Sequence, residues 1–187
     1  MSAEYNWKQN STVLIIFHTF KPLKNIEVEV VEQLVKKFSQ YRIKFAFLTI
    51  SDRHPYVLFD KKQAGRYGKG EWIPLKGSNL RIAENECLLQ ARSAEDVKTD
   101  KHGAPKPLLI KLISAEDSDL GFKDLSHLAQ QVLNFSNLSF SGFQTSRSPV
   151  TIFYSEKIAE WLSELKRIVG WKPQIVNTEL KRKKWFL

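Results

Sequence analysis

Two short, almost purely apolar runs bracket one amphipathic stretch near the start of the chain, and that arrangement restricts the fold more than any other feature. Val13-Leu14-Ile15-Ile16-Phe17, within Thr12 to Phe20, has the pattern of a strand covered on both faces, and we read it as a central strand. From Asn25 to Ser39, Ile26, Val30, Val31, Leu34 and Phe38 recur at helical spacing while Glu and Lys fill the other positions, so an amphipathic helix is predicted with those residues as its apolar face. The second run, Ile43 to Ile50, completes a β-α-β unit. Its two strands should be parallel, because a crossover helix returns the chain to the starting end of the sheet.

Further along, the pattern is more broken. Pro55 to Gln90 holds strand-like pieces at Tyr56-Val57-Leu58-Phe59, Trp72-Ile73-Pro74 and Cys87-Leu88-Leu89, separated by Gly-rich turns, which predicts an antiparallel meander or hairpin. Ser93 to Lys106 is polar and loop-like, and Pro107 to Ile113 reads as another buried strand. An amphipathic helix is expected over Lys123 to Phe135, with Leu125, Leu128 and Val132 on one side. Ser148 to Phe153 reads as a short strand, followed by a last helix over Ser155 to Val169 with Ile158, Trp161, Leu162, Leu165 and Ile168 on one stripe. The expected architecture is mixed α/β around a twisted, partly parallel sheet.

Charge indicates the kind of partner. Lys and Arg outnumber Asp and Glu by 29 to 20, a formal net charge of +9, which favours a polyanion through counterion release and puts nucleic acid first. No stretch approaches the length of a membrane span, no signal-peptide pattern opens the chain, and no basic amphipathic helix of the kind that lies on lipid is visible, so a cytoplasmic protein without a membrane partner is expected. The single Cys87 excludes an intrachain disulfide framework.

Catalytic and metal signatures are sparse. Gly65 to Gly70 has the glycines of a phosphate loop but not the preceding strand and following helix that would aim its amides, so a hairpin turn is the stronger reading. His18, His54, His102 and His127 are scattered, with no Cys or carboxylate at zinc-ligand spacing, and no nucleophile has a local base. Glu116, Asp117, Asp119 and Asp124 sit between a strand and a helix, where carboxylates serve as caps. Two places stand out. Ser51-Asp52-Arg53-His54 follows directly on a strand, at the carboxyl end where open α/β sheets hold their ligands. Gly142 to Pro149 is a polar loop combining Gln144, Thr145, Ser146, Arg147 and Ser148, a set suited to phosphate and sugar contacts.

In this order the pieces resemble the C-terminal part of the PIWI domain of Argonaute proteins, especially the compact archaeal and bacterial ones. The resemblance rests on Ile15-Ile16-Phe17-His18-Thr19-Phe20-Lys21-Pro22, on Thr49-Ile50-Ser51-Asp52-Arg53-His54-Pro55, and on Gly103-Ala104-Pro105-Lys106-Pro107. Its most specific elements are Ser146-Arg147-Ser148-Pro149-Val150-Thr151-Ile152-Phe153-Tyr154-Ser155 and the ending Trp185-Phe186-Leu187, which follows the cations Lys181 to Lys184. It implies an RNase H-like fold over residues 12 to 187, after an N-terminal extension of residues 1 to 11, with the first strands of the family's sheet absent.

The resemblance also implies a function: holding a guide strand and pairing it with a complementary target, in a prokaryotic host-defence setting. Arg147, Arg53, His54, Ser146, Gln144, Lys106 and Tyr154 fall where the family places contacts to the guide or target backbone. The carboxylate of Leu187 would reach the guide's 5′-phosphate through Mg²⁺, since two anions share a site only when a hard cation takes oxygens from both. Active members cut with a carboxylate tetrad on two metal ions. Here His18-Thr19-Phe20-Lys21 offers no carboxylate where the first strand should end in Asp, and Glu156 alone cannot assemble the site, so no catalytic residue is assigned. The expectation is an inactive, split or short Argonaute whose partner chain supplies the mid domain and the remaining PIWI strands. The alternatives are a nuclease half completed by the partner's carboxylates and a general basic nucleic-acid-binding protein.

Overall fold

A computed structural model describes residues 12–38, 41–64, 70–96, 103–114, 121–138, 148–168 and 170–172. The expected β-α-β unit forms the start of the fold: β1 (Thr12–Thr19), α1 (Asn25–Lys36) and β2 (Arg42–Ser51). β1 and β2 run parallel in register from Thr12 opposite Arg42 to Thr19 opposite Thr49. After them come β3 (Asn79–Ala83), β4 (Glu86–Leu89), a 3₁₀ turn (Ala94–Asp96), β5 (Leu108–Ser114), α2 (Leu125–Ser136) and α3 (Val150–Leu165). The sheet order is β1-β2-β5-β4-β3, with β2, β5, β4 and β3 joined by antiparallel pairings. The chain divides into two compact units, Met1–Ala129 and Gln130–Leu187. The first holds the whole sheet and α1, the second holds α3, and α2 begins in the first and ends in the second.

The centre of the first unit is β2, buried from Phe45 to Ile50. Period-two alternation divides its side chains between the two faces of the sheet. Ile43, Phe45 and Phe47 form one cluster with Val35 of α1, joined by Val13, Ile15 and Phe17 of β1 and by Leu23, Val28, Val31, Tyr41 and Ile113. Phe47 stacks on Phe17 with ring centroids 4.8 Å apart and meets Phe45 edge-on at 5.8 Å. On the other face Leu48 and Ile50 stand opposite Leu112 and Ile110 of β5, all four buried.

Four expectations change. Among the described residues β1 is an edge strand rather than a central one, and it is only half-buried. An apolar run indicates cover on both faces of a strand but not a neighbour on both edges. The core face of α1 is Val28, Val31 and Val35, whereas Ile26, Val30, Leu34 and Phe38 are exposed. Apolar residues occupy so wide an arc of this helix that periodicity does not select the side the sheet covers.

In the middle segment neither 56–59 nor 72–74 forms a strand. Tyr56, Val57 and Phe59 are exposed and their β-branched or aromatic character finds no ladder, while Trp72 takes a left-handed φ of 60° incompatible with an extended run. The hairpin forms instead between β3, which the sequence reading did not mark, and β4, where Cys87 is buried and its thiol is pushed up to about 11 by that burial.

The stretch 148–153 enters a helix rather than a strand. Pro149, with φ −57°, is the N-cap of α3, and its carbonyl accepts from the amides of Ile152 at 2.9 Å and Phe153 at 3.0 Å. The β-branched run Val150-Thr151-Ile152 favours a strand only weakly, and a proline at a helix start outweighs it by presetting φ. The helix Leu125–Ser136 follows its expected position. Asp124 caps it by accepting from the His127 amide at 3.0 Å, and Leu125, Leu128 and Val132 are buried as predicted.

Candidate nucleic-acid interface

β2 runs antiparallel to β5, with Ser51 opposite Leu109, and Leu89 at the end of β4 lies opposite Leu108. The carboxyl ends of β2 and β4 and the entry to β5 therefore share one end of the sheet. Segments 52–54, 90–92 and 105–107, far apart in sequence, are gathered there by strand register.

Hydrogen bonds fix the shape of this end. The Ser51 hydroxyl accepts from the Arg53 amide at 3.0 Å, turning the chain as it leaves the strand. His54 is 8% exposed. Its Nε2 lies 2.9 Å from the Pro107 carbonyl and its Nδ1 accepts from the Tyr56 amide at 3.2 Å. A carbonyl can only accept and an amide can only donate, so the ring is the neutral tautomer with its proton on Nε2. Lys106 Nζ donates to the His54 carbonyl at 3.2 Å, a second tie across the same gap. Gln90 is fully buried, and its side-chain amide donates to the carbonyls of Arg92 at 2.8 Å and Pro105 at 3.3 Å. Arg92 in turn donates to the Asp96 carbonyl at 3.2 Å.

Arg53 and Lys106 thus stand exposed at one end of the sheet, Lys106 tied to the carbonyl of buried His54 and Arg53 next to it in the chain. Charges on long stems above a rigid, hydrogen-bonded ledge suit a phosphate backbone, which asks for positioned cations rather than a closed pocket. His54 does not present a free ring nitrogen: both are engaged within the protein, and its backbone carbonyl holds Lys106. Tyr154 lies half-buried on α3 in the second unit, its ring 5.2 Å from that of Phe153. Arg147, Ser146, Gln144 and Leu187 lie outside the described residues. Among the described residues no three His, Cys, Asp or Glu side chains gather as a metal site.

Sequence reading missed Gln90 and Arg92. A polar residue directly after the apolar run Cys87-Leu88-Leu89 occupies the same strand-end position that singled out Arg53, and that signal could have found them. At the end of β1, Thr19 Oγ1 lies 3.3 Å from Thr49 Oγ1, and burial lowers the pKa of neighbouring His18 below its usual 6.5. The folded protein therefore resists protonating His18 more than the unfolded chain does. Stability from this group is complete above pH 6.5 and is lost as pH falls towards the lowered folded value. Urea unfolding at pH 7.5 and 5.5 should show a drop that shrinks in His18→Gln; an equal drop in parent and variant would remove His18 as its source.

No protein-family model matches the chain. It is 37% identical over 191 residues to a protein argonaute of Cereibacter sphaeroides, a match covering 97% of this chain and 24% of that protein. Its identity to a Piwi protein of Archaeoglobus fulgidus is 24% over 164 residues, covering 85% of this chain and 37% of the relative. The chain therefore spans about a quarter and somewhat over a third of the lengths of these two relatives. In fold it is similar to Clostridium butyricum Argonaute bound to a guide DNA and a 19-mer target DNA, with TM-score 0.57 and 20% identity over 80% of this chain and 17% of that one. Aquifex aeolicus Argonaute is similar too, with TM-score 0.56 and 18% identity over 84% of this chain and 19% of that one.

Proposed function

Since this chain is related to Argonaute proteins over nearly its whole length and is similar to their PIWI-like part, with its α/β sheet and helices, we propose that it is a guide-binding PIWI module that does not itself cleave. The observation that carries the reading is the sheet end where exposed Arg53 and Lys106 flank His54, which is tied to Pro107 and takes Lys106 on its carbonyl, in a chain of net charge +9. The solved Clostridium butyricum relative holds guide and target DNA, which supports nucleic acid as the partner here. The lack of a carboxylate from His18 to Lys21, at the end of β1, supports binding without cleavage.

On this reading Arg53 and Lys106 contact phosphates of the guide or target, and Arg147, Ser146, Gln144 and Tyr154 add contacts from the second unit's sequence. The 5′-phosphate is held with Mg²⁺ and the Leu187 carboxylate, and a second protein chain in the cytoplasm completes the pocket. Among the described residues no helix is long and apolar enough to cross a membrane.

Fluorescence anisotropy tests this with single strands carrying 5′-phosphate or 5′-hydroxyl, with Mg²⁺ or EDTA, and with residues appended after Leu187. A guide binder prefers the phosphorylated strand in Mg²⁺ and loses that preference on chelation or extension. Indifference to all three leaves only a general basic nucleic-acid-binding protein. Arg53→Ala with Lys106→Ala should weaken binding and lower the slope of log affinity against log salt by roughly 1.4 to 1.8, two phosphate contacts at about 0.7 to 0.9 each. An unchanged slope would place the nucleic acid elsewhere.

A further inference from the structure

Lys106 sits between two prolines, Pro105 and Pro107. Neither has an amide hydrogen, so on each side of Lys106 the chain offers only a carbonyl, and only donors from elsewhere can fix it. Two buried side chains supply them. The His54 ring donates to the Pro107 carbonyl at 2.9 Å, and the Gln90 side-chain amide donates to the Pro105 carbonyl at 3.3 Å. They come from opposite sides: His54 follows β2 and Gln90 follows β4, the two strands that flank β5.

Gln90 is itself held. Its backbone amide donates to the Ser78 carbonyl and its own carbonyl accepts from the Gly77 amide, both at 2.8 Å. Its side-chain nitrogen directs one hydrogen to the Pro105 carbonyl and the other to the Arg92 carbonyl at 2.8 Å. The side-chain oxygen Oε1, by contrast, is buried without a hydrogen-bond partner. An unpaired buried acceptor costs stability, and an apolar side chain of the same shape avoids that cost. Folding alone is therefore served as well by an apolar residue. What only the amide supplies is the tie from β4 to the carbonyl beside Lys106.

On the reading of this sheet end as a nucleic-acid interface, we propose that Gln90 is a positioning residue for Lys106. With His54 it clamps the chain on both sides of the lysine. A segment pinned at one carbonyl can pivot about it, whereas one pinned at two presents its ammonium from a fixed backbone position and loses less freedom when a phosphate binds. Being fully buried, Gln90 acts through Lys106 and not by contact with the nucleic acid.

A double-mutant cycle on the whole chain, read by fluorescence anisotropy of a 5′-phosphorylated single strand in Mg²⁺, tests this. Gln90→Met keeps the length of the side chain and removes its donors together with the unpaired oxygen. The circular dichroism spectrum should be unchanged while affinity falls about three- to tenfold. In a Lys106→Ala background the same substitution should change affinity by less than about twofold, whereas beside Arg53→Ala it should keep its full effect. Gln90→Leu carries the same expectation and serves where the methionine variant does not fold. Parent-like affinity in either folded Gln90 variant, while Lys106→Ala weakens binding, overturns the proposal. So does a loss that persists undiminished beside Lys106→Ala, which would make Gln90 a general support of the fold. If Lys106→Ala itself leaves affinity unchanged, the interface reading fails first and the clamp with it.

Discussion

Phe45→Ala should cost about 3–5 kcal/mol of folding stability, the range for truncating a buried aromatic, and so consume much of the margin of a domain this size. Phe45 is fully buried in β2, edge-on to Phe47, in the cluster that joins β1, β2 and α1. Its backbone carbonyl also accepts from the Phe122 amide at 3.3 Å, where Gly121 bridges to the strand. Truncation leaves a cavity whose walls belong to three elements and cannot collapse together. Urea unfolding of Phe45→Ala beside Ile26→Ala gives the contrast: the exposed Ile26 variant should stay within about 0.5 kcal/mol of the parent. Comparable losses in both would mean that α1 is turned the other way and that its exposed side is core.

His54→Ala should cost about 1–3 kcal/mol, because it leaves the Pro107 carbonyl and the Tyr56 amide without the ring that satisfies both. Its effect on nucleic-acid binding should be larger than its exposure suggests. The His54 carbonyl is the anchor for Lys106, and the neighbouring residue is Arg53, so loosening this turn disperses both cations. The salt slope discriminates between positioning and contact. Affinity should fall while the slope stays within a few tenths of the parent's, since no phosphate contact is removed. A slope reduced by a full contact would show that the ring itself meets the backbone.

Much of the first unit was legible from residue pattern alone. The apolar runs at 13–17 and 43–50 around one amphipathic stretch are β1, β2 and α1, in parallel as the crossover rule requires. Strand β5 and helix α2 also lie where periodicity put them. The reading that Arg53 and His54 directly follow a strand also agrees with the structure, where β2 ends at Ser51. Local pattern misled where two local signals competed, as at Val150-Thr151-Ile152 after Pro149, or where β-propensity met no partner strand, as at 56–59.

By itself, then, the sequence determined the order of the main elements, the parallel pairing, the basic character and the strand end carrying Arg53, since each depends on residues near one another along the chain. Only the tertiary structure decided which side of α1 faces the sheet, that β1 stands at an edge of the described sheet, and that His54 is a buried tie to Pro107, 53 residues away. The reason is the same in each case. A side chain's role as core, contact or support depends on what strand register brings beside it, and periodicity carries no record of partners so distant in the chain.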